Sequence, residues 1–489
     1  KNRRLNFIPL YENNERVGIK VAVADTYKMN ESNQLLIFKG GKVNIPAQYK
    51  SFDKYKNLVV NSDFLKSNPN FFKHDSKENL LISKDNYSIS NKGSVQPQSS
   101  MVIIDYTTGE IKALVGGRDI KGQLLYNRAI NPRQPGSAIK PLSVYTPAID
   151  NGWTAASVID DVPNYDMNGN RWPKNWYEKR NDPKHTGYKG LVTLREALQL
   201  SMNVPAVKVA ERLGVTTSME YLEKMGISVE SKKNPNGSLV KSGAKNDVNL
   251  AAMALGGMTK GLTPLELTSA YGSLANNGIH ITPHTFTKVT DREGNVVIEN
   301  KPVKNFVVSP QVAFIMTDMM KSGVEYGTGR RARLSNMPAA GKTGTTSDNY
   351  DAWFVGYTPY YVGGVWIGND LQIKLEKGSS VSAALWKKVM EEIHKDLPSK
   401  EFEIPEGIIK MAVDTKSGKI PTELSYRDPR GSTVRQEYFI EGTQPTEFDD
   451  VHVEVEVCTE SDKLPTEYCP TTLIEKRVFI SRPIPYNPE

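Results

Sequence analysis

Cysteine is scarce in this sequence, and long apolar runs are missing. Cys458 and Cys469 are the only cysteines among 489 residues, which excludes a scaffold held together by many disulfides. The two thiols either form one disulfide or stay free, and the sequence leaves both alternatives open. It contains no run of 18 apolar residues and no apolar core of a secretory signal, so no stretch of it is expected to span a membrane.

Histidine is also sparse, and its distribution argues against two kinds of site. The six histidines are scattered along the chain. No Gly-x-Ser-x-Gly segment surrounds Ser137, the serine with the most informative neighbours, so a Ser-His-Asp hydrolase is disfavoured. Zinc is disfavoured as well, because only His452 lies near the two cysteines and the ligand count falls short. We expect no metal and no cofactor.

Basic residues exceed acidic residues only slightly. The 62 Lys and Arg residues and 55 Asp and Glu residues give a net charge of +7. Such an excess could favour an anionic neighbour such as a phospholipid surface, but ordinary solvated surface charge explains it more simply. Because no block of aromatic residues is interleaved with basic ones, nucleic acid is not expected as a partner.

The length of the chain indicates more than one domain. Residues 1–94 contain short alternating apolar segments, such as residues 17–23, which predict a small β-rich linker domain. Residues 95–396 hold the clearest helical and strand patterns and are predicted to form the main domain. Strict alternation over residues 451–457 predicts a small β-rich C-terminal domain, residues 397–489.

The middle of the chain predicts an α/β fold of the α+β type. Two strands joined by a hairpin turn are predicted within residues 99–117, and two more within residues 352–369. Between them, apolar residues recur at helical spacing, for example over residues 194–200 and 206–213, and a helix over residues 383–394 follows. This order predicts an antiparallel sheet flanked by helices, plus a mostly helical subdomain.

A serine and a lysine three residues apart form the most informative motif, Ser137-Ala-Ile-Lys140. On a helix this spacing puts both side chains on one face, with an amine within reach of a hydroxyl. A serine nucleophile that works without histidine needs such a base. The spacing alone is weak evidence, since it recurs elsewhere, for example at Ser242 and Lys245.

Two further motifs follow in the chain, Ser201-Met-Asn203 and Lys342-Thr-Gly-Thr345. In this order and with these separations, the three motifs resemble those of the penicillin-interacting serine enzymes. The resemblance implies the fold of that superfamily, which agrees with the predicted sheet, helices and helical subdomain.

The text around the motifs narrows the resemblance to the transpeptidase part of class A penicillin-binding proteins. The similar segments are residues 101–117, 261–278 and 351–359. The similarity extends over residues 95–395, and the ends of the chain are much less distinctive.

This resemblance implies an acyl-transfer role for the first and third motifs. Ser137 is the implied nucleophile and Lys140 is its base, while the backbone N–H groups of Ser137 and Thr345 form the oxyanion hole. A free lysine has a pKa of about 10.4, so Lys140 can act as a base only if its pKa is lowered by burial and a nearby cation. Lys342 is the natural candidate for that cation.

The second and third motifs are implied to bind the substrate and to move a proton. Ser201 would relay a proton to the leaving amine, and Asn203 would hold the amide of the substrate. Met202 replaces the aspartate of the Ser-Asp-Asn version, so any role of that acid is absent. The third motif is predicted to be an edge strand that pairs with a peptide backbone and binds a terminal carboxylate. Its substrate-binding residues are Thr343, Gly344, Thr345 and Thr346.

Ser347-Asp348-Asn349 matches the Ser-Asp-Asn version letter for letter. It follows the third motif directly, however, so both motifs would come from one short stretch. Because a cleft needs opposing walls, we interpret residues 347–349 as a turn.

The resemblance implies a peptidoglycan D,D-transpeptidase. Ser137 would attack the penultimate D-alanine carbonyl of a stem peptide, terminal D-alanine would leave, and the amine of a neighbouring stem peptide would take the acyl group. β-Lactam antibiotics would acylate the same serine. A D,D-carboxypeptidase or a β-lactamase-type hydrolase shares all three motifs and remains the alternative. An inactive β-lactam sensor is disfavoured, because Lys342 and Asn203 are both present.

The location follows from the same resemblance. The chain opens without methionine, and its first 94 residues carry no sign of a glycan polymerase. We therefore expect a fragment that lacks an N-terminal membrane anchor and a glycosyltransferase domain, and that acts at the extracytoplasmic face of the bacterial cell membrane.

Overall fold

The computed structural model describes most of the chain. The described residues are 3–12, 14–23, 26–29, 35–38, 42–52, 58–74, 76, 80–88, 93–118, 126–178 and 187–482. They form two compact units, residues 1–97 and residues 98–489. The predicted boundary between residues 396 and 397 falls inside the second unit, so the three-domain division stays a prediction.

The first unit is built mainly of antiparallel strands. One sheet has the order Lys50–Phe52, Leu58–Asn61, Glu15–Val23, Arg3–Glu12, Leu80–Ile82, Phe72–His74, and a second has the order Thr26–Met29, Leu35–Phe38, Ser94–Val95. A short helix, Ser62–Ser67, packs its buried Phe64 against the larger sheet through Ile19 and Val60. The predicted β-rich character of this region and the predicted strand over residues 17–23 are confirmed.

A five-stranded antiparallel sheet lies at the centre of the second unit. Its spatial order is Glu110–Val115, Gln98–Asp105, Val362–Gly368, Asp351–Tyr357, Ala340–Thr345. The two predicted hairpins are therefore confirmed, and the Lys-Thr-Gly motif lies in an edge strand, as predicted. Edge strands leave one row of backbone groups without a strand partner.

Alternating residues of this sheet face two hydrophobic layers. Trp353 and Val355 face the larger core, whereas Phe354 between them faces the smaller one. Helices Pro264–Ala275 and Pro310–Glu325 cover the first face, and helix Ser380–Ile393 covers the second through residues such as Trp386. This period-two burial on both sides is expected of a sheet between two helical layers. The antiparallel sheet flanked by helices is therefore confirmed.

The helical region between the sheet strands carries the first two motifs. Its α-helices are Thr146–Asp150, Leu194–Gln199, Asn203–Leu213, Val215–Lys224 and Leu250–Leu255. A two-stranded sheet, Val158–Asp161 and Gly190–Thr193, lies among them. Two further two-stranded sheets follow, Ile279–Ile281 with Lys304–Phe306 and Lys288–Thr290 with Val296–Glu299. The helices predicted at residues 194–200 and 206–213 are confirmed.

Two antiparallel two-stranded sheets dominate the C-terminal part of the second unit. They pair Ile408–Asp414 with Val434–Ile440, and His452–Cys458 with Ile474–Ile480, and a one-turn helix spans Glu423–Tyr426. The strand predicted from residues 451–457 is confirmed. Both cysteine thiols are free, with Cys458 buried and Cys469 half-buried.

One buried ion cluster joins this C-terminal part to the helical region. Arg195, in helix Leu194–Gln199, donates from Nε to a carboxylate oxygen of Glu437 at 2.6 Å and from a terminal nitrogen to Asp318 at 2.5 Å. Arg195 and Glu437 are both buried. A buried charge is costly unless it is paired, so the three residues stabilise the fold as a set.

Candidate active site

Ser137 lies in the first turn of a continuous helical stretch. Residues Gly136–Ile139 form a 3₁₀ turn, followed by a π-helical segment, Pro141–Tyr145. Gly136 has a φ of +53°, a conformation that favours glycine, and a side chain there would lie 2.5 Å from the carbonyl oxygen of Thr345. The hydroxyl of Tyr271 donates to the carbonyl oxygen of Ala138 at 2.6 Å. The turn is thus held between the edge strand and a buried helix.

Lys140, three residues after Ser137, is completely buried. Its Nζ donates to the carbonyl oxygens of Ser201 and Met202 at 3.0 and 2.8 Å, and to Oδ1 of Asn203 at 2.7 Å. Burial lowers the pKa of the Lys140 ammonium well below its usual range, and the charge of Lys342 lowers this pKa further. The charged form of this lysine is therefore less favoured than that of a free lysine.

Lys342 is the second buried amine of the site. Its Nζ donates to Oγ of Ser201 at 2.7 Å and to the carbonyl oxygen of Thr343 at 2.9 Å. Burial lowers the pKa of Lys342 to about 7. The first and third motifs therefore both reach the second motif, Lys140 through its backbone and amide oxygens and Lys342 through its hydroxyl.

The strand Ala340–Thr345 packs directly against the turn that carries Ser137. A side chain at Gly344 would lie 2.3 Å from the carbonyl oxygen of Pro135 and 2.8 Å from Cβ of Ala138. Glycine is required at position 344 because the turn that carries Ser137 approaches the strand this closely. The motif alone does not indicate this reason. Thr343 Oγ1 lies 2.7 Å from Thr328 Oγ1, within hydrogen-bond distance.

An open cavity of about 580 Å³ brings the three motifs together. It is lined by Ser137, Ser201, Asn203, Thr343, Thr345 and Thr346. Lys140 and Lys342 lie behind this lining and touch it through Ser201 and Asn203. Gly344 is not among the lining residues. All the predicted site residues are thus close together, while their roles stay proposals.

The lining also contains residues that the motif analysis did not select, namely Trp176, Leu255, Thr328, Ser347, Asn349, Gly378, Ser379 and Ser380. Residues 347–349 form a short turn, as predicted, in which Asp348 and Asn349 have positive φ. This turn forms part of the cavity wall even though it does not supply the second motif. Trp176 has 64% of its surface exposed, an unusual state for a large aromatic residue, but nothing in its sequence context predicts where it lies.

One cluster outside the cavity has ligand types suited to a cation. Carboxylate oxygens of Asp414 and Asp449 and a ring nitrogen of His452 lie within 4.8 Å of one another, and all three residues are buried. His452 lies 2.7 Å from Asp449 and 3.1 Å from Asp428, and Asp449 also accepts from Ser425. Hydrogen bonds within the protein account for this cluster as the polar core of the C-terminal part.

Comparison with known protein families shows to which family the chain belongs. A family model described as "Penicillin binding protein transpeptidase domain" matches residues 99–391, more than half of the chain. The chain belongs to this family. A second model, "Penicillin-binding protein 1A, C-terminal domain", matches residues 404–454. The resemblance to the transpeptidase part of class A penicillin-binding proteins is therefore confirmed.

Individual relatives agree with this assignment. Penicillin-binding protein 1A of Clostridium botulinum (strain Langeland) is 42% identical over 455 residues, which cover 90% of this chain and 53% of the relative. Penicillin-binding protein 1A of Clostridium novyi is 41% identical over 432 residues, or 87% of this chain and 47% of the relative. The chain thus spans about half the length of the curated relatives it matches.

Solved structures of the family share the fold. Penicillin-binding protein 1A from Haemophilus influenzae aligns with a TM-score of 0.59 at 21% identity, covering 90% of this chain and 68% of that one. PonA1 from Mycobacterium tuberculosis, in complex with penicillin V, aligns with a TM-score of 0.54 at 23% identity, covering 63% and 81%. Within the described part of the chain, no helix has the length and apolar character needed to cross a bilayer.

Proposed function

We propose that this chain is a D,D-transpeptidase that crosslinks peptidoglycan stem peptides through an acyl-enzyme on Ser137. One observation carries the proposal: Ser137 shares a cavity with Ser201 and Asn203, and two buried lysines contact that second motif. Buried amines with lowered pKa values are unusual in a merely structural cluster and are typical of acid–base sites.

The first step is acylation. Oγ of Ser137 bonds to the carbonyl carbon of the penultimate D-alanine while neutral Lys140 takes the hydroxyl proton. The negative charge on the carbonyl oxygen is stabilised by the backbone N–H groups of Ser137 and Thr345. The C–N bond then breaks, and terminal D-alanine leaves with a proton on its amine. Lowering of the Lys140 pKa by burial and by Lys342 supports this role.

Proton delivery to the leaving amine is assigned to Ser201. Its Oγ accepts a hydrogen bond from Lys342 Nζ at 2.7 Å, so the hydroxyl hydrogen is free to point into the cavity. Lys342 can replace the proton that Ser201 gives up, since its pKa of about 7 lies near neutral pH. In the second step an amine from a neighbouring stem peptide bonds to the acyl carbon, and the bond from that carbon to Oγ of Ser137 breaks. The amine proton passes through Ser201 to Lys342, while protonated Lys140 returns its proton to Oγ.

Substrate binding is assigned to the edge strand and its neighbours. The free edge of Ala340–Thr345 offers backbone groups to an extended peptide. Thr343, Thr345 and Thr346 line the cavity and would bind the terminal carboxylate through hydroxyl groups. The amide of Asn203 is engaged by Lys140 at Oδ1 and by the carbonyl oxygen of Lys174 at Nδ2, and each end keeps one further hydrogen-bonding position for the substrate.

The protein would act at the extracytoplasmic face of the bacterial membrane, where stem peptides are found, and would be anchored there by a segment outside these residues.

β-Lactams would acylate Ser137 because they mimic the donor peptide. D,D-carboxypeptidase or β-lactamase-type hydrolysis is the competing outcome, in which water instead of an amine removes the acyl group.

Mass spectrometry after treatment with a fluorescent penicillin tests the proposal. We expect one adduct, on the peptide that contains Ser137, and its loss in Ser137→Ala. Ser242→Ala is the matched control, because Ser242 also precedes a lysine by three residues but is exposed. Labelling that survives Ser137→Ala would overturn the proposal. Incubating the chain with a donor peptide and an added amine then distinguishes transfer from hydrolysis by the mass of the product.

A further inference from the structure

Four hydrogen bonds fasten a segment outside the three motifs to the second motif and to the residues that flank it, Leu200 and Val204. This segment comprises residues 173–177. Trp176 Nε1 donates to the carbonyl oxygen of Leu200 at 2.9 Å, and Asn203 Nδ2 donates to the carbonyl oxygen of Lys174 at 2.8 Å. Oδ1 of Asn175 accepts from the backbone N–H groups of Asn203 and Val204 at 3.1 and 3.2 Å.

The second motif needs such outside support for a local reason. Ser201 has a φ of +55°, which is unfavourable for a residue with a side chain. Met202 occupies the N-cap position of helix Asn203–Leu213 and makes no side-chain cap hydrogen bond. The first N–H groups of a helix have no partner within the helix and normally bond to a polar N-cap side chain. Asn175 takes over that function from a distant point in the chain.

The orientation of Asn175 is itself fixed by a buried carboxylate. Asn175 is 4% exposed, and its Nδ2 donates to Oδ1 of Asp161 at 2.9 Å. A carboxylate only accepts hydrogen bonds, so the amide must direct its oxygen toward Asn203 and Val204. Asp161 is fully buried, and its Oδ2 accepts from Tyr177 at 2.7 Å and from the backbone N–H of Lys189 at 2.9 Å.

We propose that Asn175 is a positioning residue for catalysis, which holds Ser201 and Asn203 where Lys140 and Lys342 can reach them. The inference rests on the proposed function of Ser137 and Lys140. Residues 201–203 supply all three oxygens that Lys140 Nζ contacts, and Ser201 supplies the hydroxyl that Lys342 contacts. A shift of the motif therefore moves the base and the proton relay together, although the hydrogen bonds of Asn175 go to Asp161, Asn203 and Val204 and to neither lysine.

The hydrogen-bonding pattern allows a reciprocal exchange as a test. In Asn175→Asp two carboxylates, which can only accept hydrogen bonds, face each other across the 2.9 Å contact. In Asp161→Asn two amides face each other, so either two N–H groups meet or one amide must turn away from its present partners. The double variant restores the pair with reversed polarity, because the amide at position 161 donates to the carboxylate at position 175. That carboxylate still accepts from Asn203 and Val204, at the end of a helix where negative charge is favoured.

Saturation kinetics of acylation by a chromogenic cephalosporin measure the effect. We expect the limiting acylation rate to fall about 100-fold in Asn175→Asp and in Asn175→Ala, because a misplacement of about 1 Å costs that much. The half-saturating concentration should change little, and the double variant should recover most of the rate. Asn168→Asp, at an exposed position in the same region, is the control and should behave like the unmodified chain.

Thermal melting followed by circular dichroism identifies the variants that fold. A wild-type limiting rate in folded Asn175→Asp or Asn175→Ala would overturn the inference, and so would a double variant no faster than the single ones. If Asn175→Asp does not fold, the rates of Asn175→Ala and the double variant decide in the same way. Failure of the unmodified chain to form an adduct on Ser137 would instead overturn the proposed function.

Discussion

Lys342 donates a hydrogen bond from Nζ to Oγ of Ser201 at 2.7 Å. Nζ of Lys140, which belongs to the first motif, donates to the backbone carbonyl oxygen of the same serine. Two buried ammonium groups that share one three-residue segment repel each other, so the protonation of Lys140 depends on the charge of Lys342. This dependence is open to measurement.

Lys342→Gln should move the pH dependence of acylation to higher pH. Removing the neighbouring cation raises the pKa of Lys140 toward its usual value, because the charged form is no longer disfavoured by repulsion. The rising limb of the acylation rate should shift to higher pH, which lowers the rate at every pH below that limb. Stopped-flow acylation across pH measures the limb. An unmoved limb would contradict the coupling, and the exposed Lys245→Gln serves as control.

Lys140→Arg should nearly abolish acylation. A guanidinium stays protonated in proteins and so cannot accept the proton of Ser137, although its charge is the same as that of an ammonium. General-base catalysis contributes about 10²- to 10⁴-fold, and we expect a loss of that size. Time-resolved gel labelling with fluorescent penicillin measures the rate. Lys245→Arg should label normally, and normal labelling of Lys140→Arg would refute the base assignment.

Gly344→Ala should destabilise the fold and slow acylation together. Its Cβ would lie 2.3 Å from the carbonyl oxygen of Pro135, so the edge strand must move away from the turn that carries Ser137. Overpacking of this kind costs about 1–3 kcal/mol. Urea unfolding reports the loss of stability. Gly257→Ala is matched to it, since its Cβ would meet its nearest neighbour at 3.4 Å, an ordinary contact; equal stability of the two variants would disprove the argument.

Arg195→Met should lower the free energy of unfolding by about 3–5 kcal/mol, because it leaves Glu437 buried without its cation. The pair Arg427 and Glu454 is more exposed, and Arg427→Met should cost only about 0–1 kcal/mol. Chemical denaturation of both variants provides the comparison. A similar cost for both would show that the Arg195 cluster is no more than a surface ion pair.

Much of the fold could be predicted because buried strands and helices carry apolar residues in recognisable patterns. The sheet strands Gln98–Asp105 and Asp351–Tyr357 carry apolar residues on both faces, and helix Asn203–Leu213 carries them at helical spacing. The motif residues were predicted from their resemblance to the motifs of the penicillin-interacting serine enzymes, because the spacing of Ser137 and Lys140 alone is weak evidence.

The remainder depends on contacts between residues that are distant in the chain. Asn175 and Trp176 lie in irregular structure, where no periodicity relates them to Ser201. The need for glycine at position 344 arises from Pro135, which belongs to another segment. For a similar reason the sequence does not determine whether Cys458 and Cys469 form a disulfide, because spacing alone does not show whether two sulfur atoms meet. In the structure both thiols are free.

The glycines around Ser137 have a consequence for how drug recognition can change. Side chains at Gly136, Gly256 and Gly344 would meet backbone oxygens at 2.5, 2.3 and 2.3 Å. The turn that carries Ser137 and the backbone packed against it therefore tolerate almost no added side-chain volume. Exposed lining residues such as Ser347 and Ser380 have room to vary. If the proposed function holds, mutations that reduce antibiotic capture should accumulate at these exposed lining positions, and the packed glycines should stay constant.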